Sequence, residues 1–311
     1  MKIKSSIHQR IPFFALCAIA LCLSFLIAPA FAQDQGDDTS RRFWPPNFRP
    51  ASTRPASTPK TSRYKRTTPA LPKNEIAANP TSEAVVGVTV WRLRPSKETD
   101  GARILVKKSG KSANWTPERV EADTKFSEGQ MLRLSIEVPR AGYLYVIDRE
   151  QYADGSVSDP YLIFPTNPAS DENKVGAGRI VEIPNQADDQ AYFEVKSVRE
   201  AGQSPQVAEL LTVLVTTAPL KELPKREAGD DSPLRLPGAL VGKWEKEWGA
   251  AFEQLELENG AGKAYTKAEQ LAGGGSTKRL TQDDPLPQTI FRVAVNPGRP
   301  LLVKLPLRIG K

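Results

Sequence analysis

Between Met131 and Pro184 the chain reads MLRLSIEVPRAGYLYVIDREQYADGSVSDPYLIFPTNPASDENKVGAGRIVEIP, and this stretch leaves little room for any fold but a sheet. Leu132, Leu134, Ile136 and Val138 alternate with Arg133, Ser135 and Glu137. A period of two places one face of a strand in a core and the other in water. Pro139 to Gly142 breaks the run, and residues 143–147 (YLYVI) begin a second strand that is apolar on both faces. Asp154-Gly155 is a turn signal. Residues 161–164 and 179–183 are two further short strands, ended by Pro165 and Pro184. Gly142 and Gly178 stand where turns need a positive φ.

The same signature recurs on both sides. Residues 85–93 (VVGVTVWRL), 104–106, 191–198 and 209–217 (ELLTVLVTT) are rich in β-branched and aromatic residues, and the last is apolar enough for a strand buried on both faces. Seven or eight short strands between turns predict a mainly β chain, an immunoglobulin-like β-sandwich over 85–222. Residues 223–236 read as a polar connector. In 237–311, Leu240, Val241, Trp244, Trp248, Ala251, Phe252 and Leu255 recur at three- and four-residue spacing, which predicts an amphipathic helix stopped by Asn259-Gly260. Thr266-x-x-Glu269 is a capping box for a short second helix. Residues 289–295 and 301–309 flank Asn296-Pro-Gly298, a type II turn signature, and predict a C-terminal hairpin packed on the sandwich. Pro306 places it at an edge.

The N-terminus sets a compartment. Lys2, Lys4 and Arg10 precede an apolar run, and Ala30-Phe31-Ala32 follows as a small-x-small site. Residues 1–32 therefore read as a Sec-type signal peptide of a secreted or periplasmic protein. Pro29 favours cleavage after Ala32 over retention as an anchor; after cleavage no transmembrane span is expected. Residues 33–84 read as a disordered linker rich in Pro, Ser and Thr, too poor in apolar residues to offset the entropy of ordering. All nine charges between Arg41 and Lys73 are basic, whereas from Val86 onward there are 31 basic and 31 acidic residues. The pI of 9.3 thus belongs to the tail. That tail reads either as a solvated spacer or as a basic tether to anionic surfaces. No specific nucleic-acid motif accompanies its charge.

The chain has one histidine and two cysteines, and His8, Cys17 and Cys22 all lie in the leader. Mature protein cut after Ala32 has neither residue type. This excludes Ser-His-Asp and Cys-His nucleophiles, His/Cys zinc sites, haem ligation by either residue, and disulfides. Gly176-x-Gly178 lacks the third glycine of a dinucleotide fingerprint, and 273–278 lacks the spacing of a phosphate loop. No cofactor is expected.

A family resemblance rests on residues 142–147 (GYLYVI), Asp154-Gly155, 162–167 (LIFPTN), Asn173-x-Val-x-Ala-Gly178, Glu182-Ile-Pro184 and the late strand through Leu220. In this order they resemble the bacterial domain-of-unknown-function family 4384, over roughly 126–220. The resemblance implies a small β-rich module of exported proteins, found alone or appended to kinase or caspase-like domains. It implies no activity and carries over no catalytic residue. Together these readings predict a non-catalytic accessory or recognition module of the bacterial cell envelope that binds a protein or an envelope polymer. Tyr143, Tyr145, Asp148, Asp154, Asp159, Trp244 and Trp248 form the candidate binding face. Two alternatives use the loop acids Asp148, Asp154, Asp159, Asp171 and Glu172: a calcium site built on oxygen ligands, or a glycan hydrolase with two facing carboxylates.

Overall fold

A computed structural model describes residues 64–69, 82–108, 110–168, 170–185, 188, 190–196, 204–226, 233–273, 280, 284–296 and 298–310. The leader, and the tail apart from 64–69 and the start of the first long strand, lie outside the described residues. In chain order the strands are β1 (Tyr64–Arg66), β2 (Ser82–Pro95), β3 (Ile104–Lys108), β4 (Lys111–Val120), β5 (Lys125–Phe126), β6 (Met131–Val138), β7 (Gly142–Asp148), β8 (Glu150–Tyr152) and β9 (Tyr161–Phe164). There follow β10 (Lys174–Val175), β11 (Arg179–Ile183), β12 (Phe193–Glu194), β13 (Gln206–Thr216), β14 (Leu234–Arg235), helix α1 (Gly238–Trp248), β15 (Phe252–Leu257), helix α2 (Lys267–Gly273), β16 (Thr289–Val295) and β17 (Leu301–Ile309). Among them no helix is long and apolar enough to cross a membrane.

The strands form two sheets, as expected of a β-sandwich. The first is built on β2, which pairs with β6 along one edge, and with β16 and then β4 along the other. β11 and β12 follow on β6, and β15 and β1 follow on β16. The second runs β14-β9-β7-β13-β17-β5, with β10 beside β7 and β8 beside β13. Val86, Val88, Val90, Leu134 and Ile136 of the first sheet meet Leu144, Val146, Val213, Val215 and Val303 of the second in one buried cluster. The alternation in β6 is what aims Leu134 and Ile136 there.

Several expectations need correction. β6 is buried on both faces, not half-solvated. Tyr265, α2 and residues 285–287 lie over its polar side, where Trp91 Nε1 donates to Ser135 Oγ at 2.7 Å and Arg133 pairs with Glu182 at 3.2 Å. The expected hairpin is an arch. Gly298 has φ 79° and Arg299 N–H donates to Asn296 O, as a type II turn requires, yet β16 joins the first sheet and β17 the second. The helix ends at Trp248; Phe252 and Leu255 belong to β15. Gly249 makes the break, because a Cβ there would stand 2.2 Å from Glu245 O. Within the expected linker, Tyr64–Arg66 adds as a strand to β15. Tyr64 packs with Val85, Leu255 and Ile290, and Arg66 meets the buried carboxylate of Glu253. The capping box is as expected: Glu269 accepts from Thr266 N–H at 2.6 Å, and Thr266 Oγ1 accepts from Glu269 N–H at 3.2 Å.

Gly178 has the expected positive φ, 65°, whereas Gly142 is extended. Gly142 is needed for proximity, since a Cβ there would lie 2.3 Å from Thr216 O on the central strand of the second sheet. Gly142→Ala is expected to destabilise the protein by about 1–3 kcal/mol, the usual cost of overpacking. A urea midpoint equal to wild type would refute this reading of the contact.

Candidate functional site

Where the free side of the first sheet meets the β9 side of the second, a cleft of about 530 Å³ opens. That volume lies in the range of ligand sites. β9 and Val175 of β10 form one wall, and β11 with Pro184 and Asn185 the other. Phe193 of β12 lines it between them. Both prolines that end these strands, Pro165 and Pro184, follow cis peptide bonds. Ile163, Phe164, Val181 and Phe193 are only partly buried and give the cleft an apolar lining.

The polar residues of the cleft divide sharply. Its acids are already engaged within the protein. Glu172 accepts from Thr166 Oγ1 and Asn167 N–H, both at 2.9 Å, and Asp188 accepts from Asn185 N–H at 2.7 Å. Glu182 is buried between Arg133 and the Tyr265 hydroxyl, which donates to it at 2.5 Å. Burial, and then the charge of Glu182, holds the Tyr265 phenol protonated far above its ordinary range. The lining bases Lys174, Arg179 and Arg226 have no ion-pair partner among the described residues. The cleft therefore sets these three bases beside three internally bonded carboxylates over an apolar floor.

The residues expected to form a binding face do not make one exposed surface: the four aromatics pack in one apolar cluster and the acids are engaged elsewhere. Tyr145 is 2% exposed and its hydroxyl accepts from Leu220 N–H at 2.9 Å. Trp244 is 1% exposed and stacks on Trp248 with ring centroids 5.7 Å apart, and Tyr143 packs partly buried in the same cluster beneath α1. Asp154 closes its own turn by accepting from Ser156 N–H, and Asp159 pairs with Arg235. None of these seven lines the cleft. Among the described residues, no group of three or more His, Cys, Asp or Glu is placed to hold a metal ion.

Asp148 has a different partner, the carboxyl of Glu209 on β13. Burial, followed by the Asp148 charge, pushes Glu209 upward, and burial likewise raises Asp148. The two carboxyls titrate as a pair, and one proton is held above the ordinary carboxyl range. Gln206 Nε2 donates to Glu209 Oε1 at 2.7 Å, and Glu150 on the adjoining β8 adds further negative charge. Because the folded state binds this proton more tightly than the unfolded chain, the sign is definite. Its contribution is complete below the ordinary carboxyl range and is lost as pH rises toward about 9. Glu209→Gln, which keeps a donor to Asp148, is expected to flatten the decline and to be more stable than wild type by roughly 1–3 kcal/mol at pH 8. Urea midpoints for both proteins between pH 5 and 9 check this; parallel curves would contradict it.

Comparison with known sequences places this cleft. Residues 125–217 match the family model described as Domain of unknown function (DUF4384). No curated protein and no solved structure matches the chain. The DUF4384 segment runs from β5 to β13 and carries both walls of the cleft. Arg226, Pro233 and Gly273 come to the cleft from beyond it. The central strand β2 of the first sheet and β16 and β17 lie outside the segment too, so its core is completed by flanking chain. Three of the six stretches on which the resemblance rested meet here: Leu162, Ile163, Phe164 and Thr166, then Val175 and Gly176, then Glu182, Ile183 and Pro184 line the cleft, whereas 142–147, Asp154-Gly155 and the late strand do not. Lys174, Arg179, Phe193 and Arg226 escaped sequence reading. Two proline-ended strands flanking 173–178 were the available sign that their ends meet.

Proposed function

We propose that this chain is an exported, non-catalytic recognition module of the bacterial cell envelope, and that it binds its partner in the cleft between β9 and β11. The observation that carries the reading is that three separate stretches of the matched segment meet on one concave, partly apolar surface that carries cations with no ion-pair partner among the described residues. The acids of the cleft are each held by internal hydrogen bonds or ion pairs, which supports binding over hydrolysis by two facing carboxylates. The leader-like N-terminus supports export.

Crosslinking in intact envelopes followed by affinity capture tests the proposal. Three forms are compared: the full chain, a Thr166→Trp/Lys174→Glu variant at two exposed cleft positions, and a deletion of residues 41–60 that stops short of β1. Partner recovery is expected to fall about tenfold for the cleft variant and to survive the deletion. The opposite pattern would move recognition to the basic tail.

A further inference from the structure

We infer that β1 is a detachable strap: a stretch of the basic tail held on the edge of β15, which an anionic lipid surface releases by taking the tail's cations. Specific contacts hold it. Tyr64, Lys65 and Arg66 pair antiparallel with Leu257, Glu256 and Leu255. Just beyond them Thr67 N–H donates to Gln254 O at 2.9 Å, and Gln254 N–H donates to Thr68 Oγ1 at 2.6 Å. The Tyr64 ring lies with Val85, Leu255 and Ile290, and its hydroxyl donates to Pro287 O at 2.8 Å. Arg66 reaches the carboxylate of Glu253, whose side chain is 2% exposed.

The surroundings let it leave. Val85 and Ile290 form a satellite cluster, and no residue of 64–69 belongs to the main buried cluster between the sheets. Without β1, β15 stays paired with β16 from Phe252↔Val293 to Glu256↔Thr289. Glu253 keeps Arg292, whose Nη1 donates to it at 2.8 Å, so release leaves no buried carboxylate unpaired. Three paired residues and one half-buried ring are a small hold against the conformational entropy of a freed segment. Local opening selects elements of this kind, poor in buried apolar contacts.

Charge names what pulls. Lys65 and Arg66 are two of the nine charges between Arg41 and Lys73, all of them basic. Both are exposed on β1. While β1 is docked, Arg66 neutralises Glu253; on an anionic surface it neutralises a lipid headgroup instead. The two states compete for one cation, and the surface shifts the equilibrium by its differential affinity for them. Phe43, Trp44 and Phe48 stand among the same basic residues. Aromatic side chains beside cations suit a lipid interface better than a dissolved polymer.

The test uses the chain from Gln33, the form left by cleavage after Ala32, so that the apolar leader does not itself insert. Hydrogen exchange is read by mass spectrometry with vesicles of phosphatidylcholine alone, or with phosphatidylglycerol as one third of the lipid. Without vesicles, amides of 64–68 are expected to exchange at least about tenfold faster than those of the β2–β16 pairing. Anionic vesicles speed them about fivefold more, the worth of one cation at such a surface, and leave β2 and β16 unchanged. Neutral vesicles have no effect. Arg66→Gln speeds exchange in 64–68 without lipid and removes the response to anionic vesicles. Protection of β1 equal to that of β2 makes it a fixed strand and overturns the inference. Vesicle binding that leaves β1 protection unchanged, or raises it, overturns it too, because the tail then engages lipid with the strap closed. Absence of vesicle binding overturns the release. Loss of protection with polygalacturonate but not with vesicles reassigns the release to an acidic polymer and likewise refutes the lipid surface.

Discussion

Trp244→Ala is expected to cost about 3–5 kcal/mol, the range for deleting a large buried aromatic. α1 has 11 residues, and Pro237 at its N-terminus provides no side-chain cap. A helix of that length is marginal in water, so packing must hold it. Trp244 is, with Val241, one of its two buried residues. It lies with Tyr145, Ile147, Leu162, Leu214, Leu236 and Leu302 on the outer face of the second sheet, and stacks nearly parallel on Trp248, at 11°. Trp248 is only half-buried, and Trp248→Ala should cost distinctly less. Urea unfolding, with near-ultraviolet circular dichroism as the tryptophan probe, measures both. Equal, small losses from the two variants would show that α1 contributes little to the fold.

Glu269→Ala is expected to lose a comparable 3–5 kcal/mol for a different reason. The Arg119–Glu269 pair is almost fully buried, with side-chain exposures of 6% and 8% and a shortest contact of 2.5 Å. The guanidinium also lies 5.1 Å from the Trp91 ring, and Glu269 completes the cap of α2. Removing the carboxylate leaves a buried cation facing an apolar ring and an uncapped helix. Replacing both partners, as Arg119→Met with Glu269→Leu, should recover most of the loss, because desolvation of the charge is what the single variant exposes. A double variant as unstable as the single one would assign the effect to the cap alone. The same network reaches the cleft: Tyr265 packs edge-on against Trp91 at 5.0 Å and bonds to Glu182. Gly273, at the end of α2, abuts Glu182 so closely that a Cβ would fall 2.3 Å from its Oε1.

Features set by neighbouring residues were legible in the chain. Thr266 and Glu269 lie within one turn of each other, and Asp154 with Gly155 and Asn296 with Gly298 shape single turns, so their geometry needs no partner elsewhere. Features set by distant partners were not. Glu253 and Glu256 give β15 a polar rhythm that, with Phe252 and Leu255, mimics a helix. Both are nevertheless buried, Glu253 against Arg66 and Arg292, Glu256 against Gln254, Gln288 and Thr289. Polar residues on β6 were placed in water for the same reason, since Trp91, Glu182 and Tyr265 come from far along the chain.

The sequence alone determined that this protein is a stack of short strands, that its principal turns reverse where they do, and that residues 125–217 form a recognisable unit. Alternation, glycine and proline act within a few residues and read directly. Only the tertiary structure decided which sheet each strand joins, and it carried β16 and β17 to opposite sheets across one turn. It alone brought β9 opposite β11 to open a cleft. Strand pairing is chosen by apolar faces and backbone groups that meet after the chain has closed long loops, and nothing local encodes which strands come to face each other.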